Sequence, residues 1–219
     1  MFKTVRVIGS GRVGSAVAAR LAERGVSVRE EDAELVLLCV PDRAIREVAQ
    51  RIDEGPWVAH VSGATTLKAL EPHTRRFSVH PLQTFTRTRG PEQLDGAYAA
   101  VTAETDKARA AGTELARTLG LRPFDLADDR RPVYHAGASI ASNFLVTVYR
   151  AAAELFEAAG APAAGLSPLM RRTIDNGFEL TGPISRGDWA TVDLHLAAIQ
   201  AERPQLEPMY RALAEATAQ

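Results

Sequence analysis

Cysteine is almost missing from this chain. Cys39 is the only one in 219 residues, so neither an intrachain disulfide nor a cysteine-cluster metal site can form. It stands inside the apolar run Leu35–Val40 and is expected to be a small buried hydrophobe. Lysine is nearly absent too: Lys3, Lys68 and Lys107 are the only lysines, all other basic residues are arginine, and no lysine occurs after position 107. Charge of one sign is not in excess, since 26 Lys and Arg against 27 Asp and Glu leave a net charge of −1. That balance gives no electrostatic reason to expect nucleic acid or an anionic membrane as partner. No apolar run approaches the roughly 18 residues of a membrane span, because charged residues interrupt every candidate. His60, His80, His135 and His195 lack the close H-x-x-x-H or H-x-x-E spacing of a helical metal site, so no required metal is expected. Met1–Arg6 enters a strand pattern directly, which predicts no signal peptide and a cytoplasmic location.

What is present alternates. Over the first 125 residues, short β-branched runs alternate with helix-like segments, the signature of a parallel α/β sheet. The strands are expected at Val5–Ile8, Val26–Val28, Leu35–Val40, Trp57–Val61, Phe77–Val79, Tyr98–Thr102 and Leu121–Leu126. Helices are expected over Val13–Arg24, from Asp42 to about Arg51, and over Thr105–Leu119, with the polar stretch Thr84–Gly96 a loop over the sheet edge. After Asp128 the strand pattern stops, and alanine-rich helical segments run to the end with breaks near Ala161-Pro162, Thr181–Gly187 and Arg203-Pro204. Ile140, Phe144, Val148, Ala151 and Leu155 make a helical stripe there. The expected architecture is therefore a Rossmann-type α/β domain over residues 1–127 and an all-α domain over residues 128–219. About 90 helical residues make a thin core alone, which predicts a homodimer formed through these helices.

Gly9-Ser10-Gly11-Arg12-Val13-Gly14 comes directly after the first strand and opens the first helix, the context that a dinucleotide phosphate loop requires. In that reading Gly9 permits the tight turn, Gly11 lets backbone approach a pyrophosphate, and Gly14 lets helix pack on strand. The free N–H groups and dipole of the helix N-terminus then meet the phosphate. Beyond the second strand the unit is abbreviated. Val28-Arg29-Glu30-Glu31-Asp32-Ala33-Glu34 leads almost directly into Leu35–Val40, where an intact unit would insert another helix and strand. Glu30, Glu31 or Asp32 would hold a ribose and Arg29 a 2′-phosphate, or the run is a solvated connector. NADP or NAD is thus the expected cofactor, with binding weakened or lost by the shortening.

Several further motifs stand in a telling order: Val40-Pro41-Asp42, His60–Ala64, His80–Phe85, Tyr134–Phe144 and Leu180–Asp188. Together with the glycine loop they resemble the Rossmann-like proteins that carry the DUF2520 domain, over nearly the whole chain. That family is similar to ketopantoate reductase, pyrroline-5-carboxylate reductase and 3-hydroxyisobutyrate dehydrogenase, within the 6-phosphogluconate dehydrogenase-like superfamily. The resemblance implies an NAD(P)-binding domain, a helical dimerising domain and a site in the cleft between them. It supplies no substrate.

Candidate site residues cluster at strand ends and on one later helix. Val40 and Pro41 stand at the C-terminal end of a strand, where ligands of open α/β sheets sit. Ser62 and Gly63 end the next strand, where the relatives bring backbone near the nicotinamide. His80 ends another strand beside Pro81. His135, Ser139 and Asn143 are spaced i, i+4, i+8, so one helix face would present all three, either to a reaction or as a polar face in the domain interface. In the hydroxyacid dehydrogenases the matching helix carries a lysine four residues before an asparagine. Asn143 fits that asparagine, but Ser139 occupies the lysine position, so lysine-assisted chemistry is expected to be absent. Arg186, in the break Thr181–Asp188, would hold a substrate carboxylate, unless the segment is a plain turn in which Asp188 caps the next helix. Two functions stand open. One is a nicotinamide-dependent reductase of a small carbonyl or imine, with His80 or His135 as the acid. The other is a protein that has lost dinucleotide binding and serves as a small-ligand sensor or dimeric interaction module.

Overall fold

Apolar strands of four to six residues can only be buried on both faces if helices cover both sides of the sheet. The computed structural model, which describes residues 2–219, has that arrangement in its first part. Seven strands, β1 (Thr4–Ile8), β2 (Ser27–Val28), β3 (Leu35–Leu38), β4 (Trp57–His60), β5 (Arg76–Pro81), β6 (Tyr98–Thr102) and β7 (Arg122–Asp125), form one sheet in the order β2-β1-β3-β4-β5-β6-β7. Alternate residues feed two cores. Leu35, Leu37, Trp57, Ala59, Phe77 and Val79 face one side with α1 (Arg12–Glu23), and Ala99 and Val101 join them there with α3 (Asp106–Thr118). Val36, Leu38 and Val58 face the other, against α2 (Ile45–Ala49) and the single turn Leu67–Leu70. Each of these buried leucine and phenylalanine side chains contributes about 2 kcal/mol by leaving water.

The sheet departs from the expected parallel arrangement at one seam: β5 and β6 are antiparallel, with His80 opposite Ala100. The reason lies in the connection. Residues 82–97 contain only the turn Pro91–Leu94 rather than a crossover helix, and a chain without a crossover returns antiparallel. That turn packs on α1, and Leu94 is fully buried in the core. The other five pairings are parallel.

By its contacts the chain forms two compact units, the first ending at Ser139 and the second comprising Ile140–Gln219. The helix α4 (Arg131–Ser139) belongs to the sheet unit. The second unit opens with a π-helical turn, Ile140–Phe144, and continues through α5 (Leu145–Ala158), α6 (Leu166–Asp175), α7 (Trp189–Glu202) and α8 (Glu207–Thr217). Its helices are separated where the breaks were expected. Few of its side chains are enclosed: Ala151, Leu166, Val192, Ile199 and Ala214 are buried, whereas Phe178 is 69% exposed and Leu194 71%. Of the helical stripe, Ile140 is 61% and Phe144 57% exposed, and only Ala151 is buried. Among the described residues, no helix is long and apolar enough to cross a membrane.

Candidate functional site

The glycine loop is built as its spacing predicts. Gly9 has φ +116°, and a Cβ there would lie 2.4 Å from the Cys39 carbonyl oxygen, so only glycine permits the turn beside β3. A Cβ at Gly14 would lie 1.9 Å from the Gly9 carbonyl oxygen, so its absence lets α1 close onto the loop. Gly11 is different, since a Cβ there meets nothing within 4 Å and its outer face is open. Gly11 caps α1 without any side-chain hydrogen bond, and the first turn carries no acidic residue. The first N–H groups of α1 are thus left for a ligand or water. Ser10, Arg12 and Val13 complete the turn, with Ser10 and Arg12 exposed and Val13 packed against the core.

The stretch after β2 settles the alternative left open by its charge. Val28 pairs with Val5, three residues before the end of β1 at Ile8, which places it about 10 Å short of the sheet's C-terminal edge. Arg29 donates its backbone N–H to Val5, and by Glu34 the chain is bonded to Thr4 and already entering β3. Glu30 and Asp32 therefore lie beside the start of β1. Glu30 pairs with Arg6 at 3.3 Å and is 84% exposed, the behaviour of a solvated connector. Among the described residues, the acidic run after β2 is thus spent beside β1 and not at its C-terminal end.

On the other side of the loop, the ends of β3, β4 and β5 bring polar side chains together. Ser62, just beyond β4, is buried and donates its hydroxyl to Asp42 Oδ2 at 2.8 Å, while accepting from the backbone N–H groups of Ala64 and Thr65. This fastens the turn Ser62–Thr65 to the segment after Val40-Pro41, where Pro41 and Asp42 are exposed at the strand end. Gly63 is enclosed by two imidazoles: a Cβ there would lie 2.7 Å from His135 Cδ2 and 2.8 Å from His80 Nε2. His80 and His135 stand edge to face with ring centres 6.2 Å apart, and His80 Nδ1 shares a hydrogen bond of 2.7 Å with the Tyr134 hydroxyl. Burial lowers the His80 pKa to about 4, assisted by the positive charge of Arg131 and by His135. His60, at the end of β4, accepts the Ser62 N–H on Nδ1, and burial first and Arg131 second bring it down to about 3. Tyr134 is pushed up to about 12 by burial, so it remains a phenol able to donate.

Arg131 is the keystone of this edge, and no sequence motif marks it. Its side chain is fully buried, Nη1 donates to Thr102 Oγ1 at 2.7 Å, and Nη2 donates to Ser78 Oγ at 2.9 Å and to the Ser62 carbonyl. Three adjacent strands are thereby tied to the first residue of α4. Asp128, whose carboxylate accepts the Leu67 N–H at 3.1 Å, lies 3.9 Å from Arg131 Nε. In the sequence Arg131 ends the run Asp128-Asp129-Arg130-Arg131, which has the look of a charged surface turn, and nothing local separates it from Arg130. Tyr134 and Asp42 lie within two of the sequence motifs, yet nothing in those motifs distinguishes them as site residues.

The structure thus brings together Ser62, Gly63, His80 and His135, with Val40 and Pro41 on the next strand end and Gly9–Gly14 beyond. The α-helical bonding ends at Ser139 and becomes π-helical over Ile140–Phe144, so His135 and Ser139 belong to the first unit and Asn143 to the second. Ser139 is half-buried and Asn143 exposed. Arg186 folds onto its own segment, donating to the Thr181 carbonyl. Asp188 caps α7, accepting from the Thr191 N–H at 3.2 Å and its hydroxyl at 2.7 Å, which is the plain-turn arrangement.

Comparison with known proteins places this geometry in a family. A family model described as a domain of unknown function, DUF2520, matches residues 97–217. No curated protein matches the chain. Among solved structures, a proposed NADP oxidoreductase from Bacteroides fragilis is 24% identical, with a TM-score of 0.82 over 99% of this chain and 98% of that one. Pyrroline-5-carboxylate reductase from Streptococcus pyogenes is 14% identical, with a TM-score of 0.63 over 98% of this chain and 96% of that one. A semialdehyde dehydrogenase NAD-binding protein from Cupriavidus necator, solved with calcium and NAD, is 19% identical, with a TM-score of 0.61 over 97% and 99%. These likenesses show the fold, a Rossmann-like sheet joined to a helical C-terminal region.

Proposed function

The chain belongs to the DUF2520 family, and from that premise we propose that it is an NAD(P)-dependent oxidoreductase that reduces a small carbonyl or imine. The observation that carries this reading is the meeting of His80, His135 and Gly63 at the C-terminal strand edge, in line with the open glycine loop. Gly9–Gly14 would hold the pyrophosphate on the α1 N-terminus, and Val40, Pro41, Ser62 and Gly63 would line the cofactor's path along the strand ends. When bound, a nicotinamide cofactor supplies or accepts the hydride. The chain's own task is to position the substrate and handle a proton. His80 is neutral near pH 7, and Tyr134 fixes its ring through Nδ1, leaving Nε2 directed at Gly63. With Tyr134 donating, Nε2 carries the ring proton and offers it as a hydrogen bond. With the tautomer reversed, Nε2 accepts a proton from an alcohol or amine in the oxidising direction. A neutral imidazole gives up its proton reluctantly, whereas an iminium substrate already carries one, so the lowered His80 pKa favours an imine. The fold shared with pyrroline-5-carboxylate reductase supports the same choice.

One observation favours a second reading, a protein without dinucleotide binding: the chain turns back at Val28, so among the described residues no carboxylate follows β2 to the strand edge where an adenosine ribose is usually held. Titration with NADPH and NADH, tracked by nicotinamide fluorescence and melting temperature, separates the two. At a hundredfold excess over Kd a ligand stabilises the fold by about 2.7 kcal/mol. No response to either cofactor up to millimolar concentration refutes the oxidoreductase reading.

A further inference from the structure

A pocket of about 380 Å³ opens beside the glycine loop, on the flank of α1 that faces the connection between β5 and β6. Gly11, Arg12 and Ser15 line one wall, and Arg87 and Arg89 the other, with no acidic side chain in the lining. The three guanidinium groups come from two separate elements. Among the described residues the one ion pair these arginines make is that of Arg89 Nε with Glu92 at 3.5 Å, which leaves two guanidinium groups unpaired.

The arrangement is built rather than incidental. Gln93 is buried and spends its whole amide on the loop that carries the arginines. Its Nε2 donates to the carbonyls of Arg89 and Gly90, both at 2.9 Å, and its Oε1 accepts the Thr86 N–H at 2.8 Å. Arg20 adds a hydrogen bond from the last turn of α1 to the Pro91 carbonyl at 2.9 Å. The loop is thus clamped to α1 on one side while Arg87 and Arg89 stay exposed at the pocket. Arg12 adds to the imbalance: it occupies the first turn of α1, where the helix dipole already presents positive charge and a cation is disfavoured. Neither Arg12 nor Arg87 has an ion-pair partner among the described residues; Arg12 makes only a long bond to the Phe85 carbonyl at 3.4 Å. Three cations gathered around a helix N-terminus are a repulsive set, and a bound dianion removes the repulsion.

We propose that this pocket binds a phosphoryl group, with Arg87 and Arg89 as a clamp delivered by the β5–β6 connection and Arg12 opposite them. A monocarboxylate would leave one positive charge unmatched, whereas a phosphate monoester or a pyrophosphate balances the set. The proposal deepens the function given above, because it rests on the glycine loop facing a phosphate-bearing ligand. It also supplies what the truncated β2 takes away: charge recognition moves from the end of β2 to the opposite flank of the loop.

The test measures Kd for inorganic pyrophosphate, NADPH and NADH by calorimetry at low salt, in the full chain and in the double variant Arg87→Ala/Arg89→Ala. Both side chains are exposed, so the melting temperature should be unchanged. Pyrophosphate binding should weaken at least tenfold in the variant, and its dependence on salt should become shallower. A loss shared by NADPH and NADH assigns the clamp to the dinucleotide's bridging phosphates. A loss confined to NADPH assigns it to the 2′-phosphate. Pyrophosphate binding that depends on the arginines, with neither nucleotide bound, upholds the pocket and overturns the oxidoreductase reading. Equal affinities in the two proteins overturn the pocket while leaving that reading standing, and an unmodified chain that binds none of the three probes overturns both.

Discussion

Acidification from pH 7 to pH 5 should weaken the sheet unit through His60 and His80. Both are neutral in the fold because burial, with Arg131 nearby, brings their pKa values down to about 3 and about 4. In the unfolded chain each returns to about 6.5 and takes up a proton first as the pH falls. Their contribution to stability is therefore complete above pH 6.5 and drains away below it, until the folded form titrates near pH 4 for His80 and pH 3 for His60. Between pH 7 and pH 5 the unfolded state gains most of one proton per histidine, which removes about 2 kcal/mol each and about 4 kcal/mol together. Carboxylates paired in the fold, such as Glu104 with Arg76, titrate lower and add little in this window. The measurement is chemical denaturation at pH 7, 6 and 5 in a Trp189→Phe background, so that the fluorescence is that of Trp57, which is buried in the sheet core. His80→Gln, which keeps a partner for Tyr134, should remove about half of the pH dependence. A stability that is flat between pH 7 and pH 5, or a variant with the same slope as the unaltered chain, would refute the claim that these imidazoles are held neutral by the fold.

Arg131→Met removes a fully buried cation and leaves the Ser62 carbonyl and the Ser78 and Thr102 hydroxyls without their shared donor, which should cost about 3 kcal/mol in chemical denaturation. The same change takes a positive charge away from His80, so its pKa should rise toward 6.5, visible in the imidazole proton shifts by NMR; an unmoved His80 would confine Arg131 to a structural role. The exposed apolar residues of the second unit, Phe178, Leu180, Trp189 and Leu194 among them, should be covered by a second copy of the chain. Light scattering at micromolar concentration is expected to give the dimer mass, and a monomer would contradict this.

The sheet was legible because its strands are short, apolar and set off by glycine and proline, and because Gly9–Gly14 stands between a strand and a helix. Strand direction was not: Tyr98–Thr102 has the composition of a strand whichever way it runs, and only the missing crossover helix between Pro81 and Tyr98 makes it antiparallel. Of the site, His80 and the turn at Ser62-Gly63 were legible because each closes a strand at the ligand-bearing edge. Arg131 was invisible for a physical reason. Its acceptors come from Ser62, Ser78 and Thr102, which only the folded sheet brings side by side, while its neighbours Asp128 to Arg130 make it look solvated. The π turn was not legible either: fourfold spacing assumes an unbroken α-helix, and no residue among Ile140–Phe144 announces the change.

The shortening after Val28 bears on one side of the candidate cofactor site. In an intact unit, the end of β2 reaches the sheet's C-terminal edge and holds the ribose by hydrogen bonds to a carboxylate, which fixes orientation at little electrostatic cost. Here β2 stops opposite Val5, and its acidic run is spent on the solvent side, with Glu30 paired to Arg6. The other strand ends show no matching loss: Arg131 donates to the Ser62 carbonyl and the Ser78 hydroxyl, and Tyr134 shares a hydrogen bond with His80. A dinucleotide bound to this chain would therefore be oriented by its reacting end and its phosphates, not by its adenosine, and would be held chiefly by charge. Binding of that kind weakens steeply as salt screens the arginines, whereas ribose hydrogen bonds are indifferent to salt. The positive flank formed by Arg12, Arg87 and Arg89 is the feature of the sheet unit suited to hold a ligand in that way.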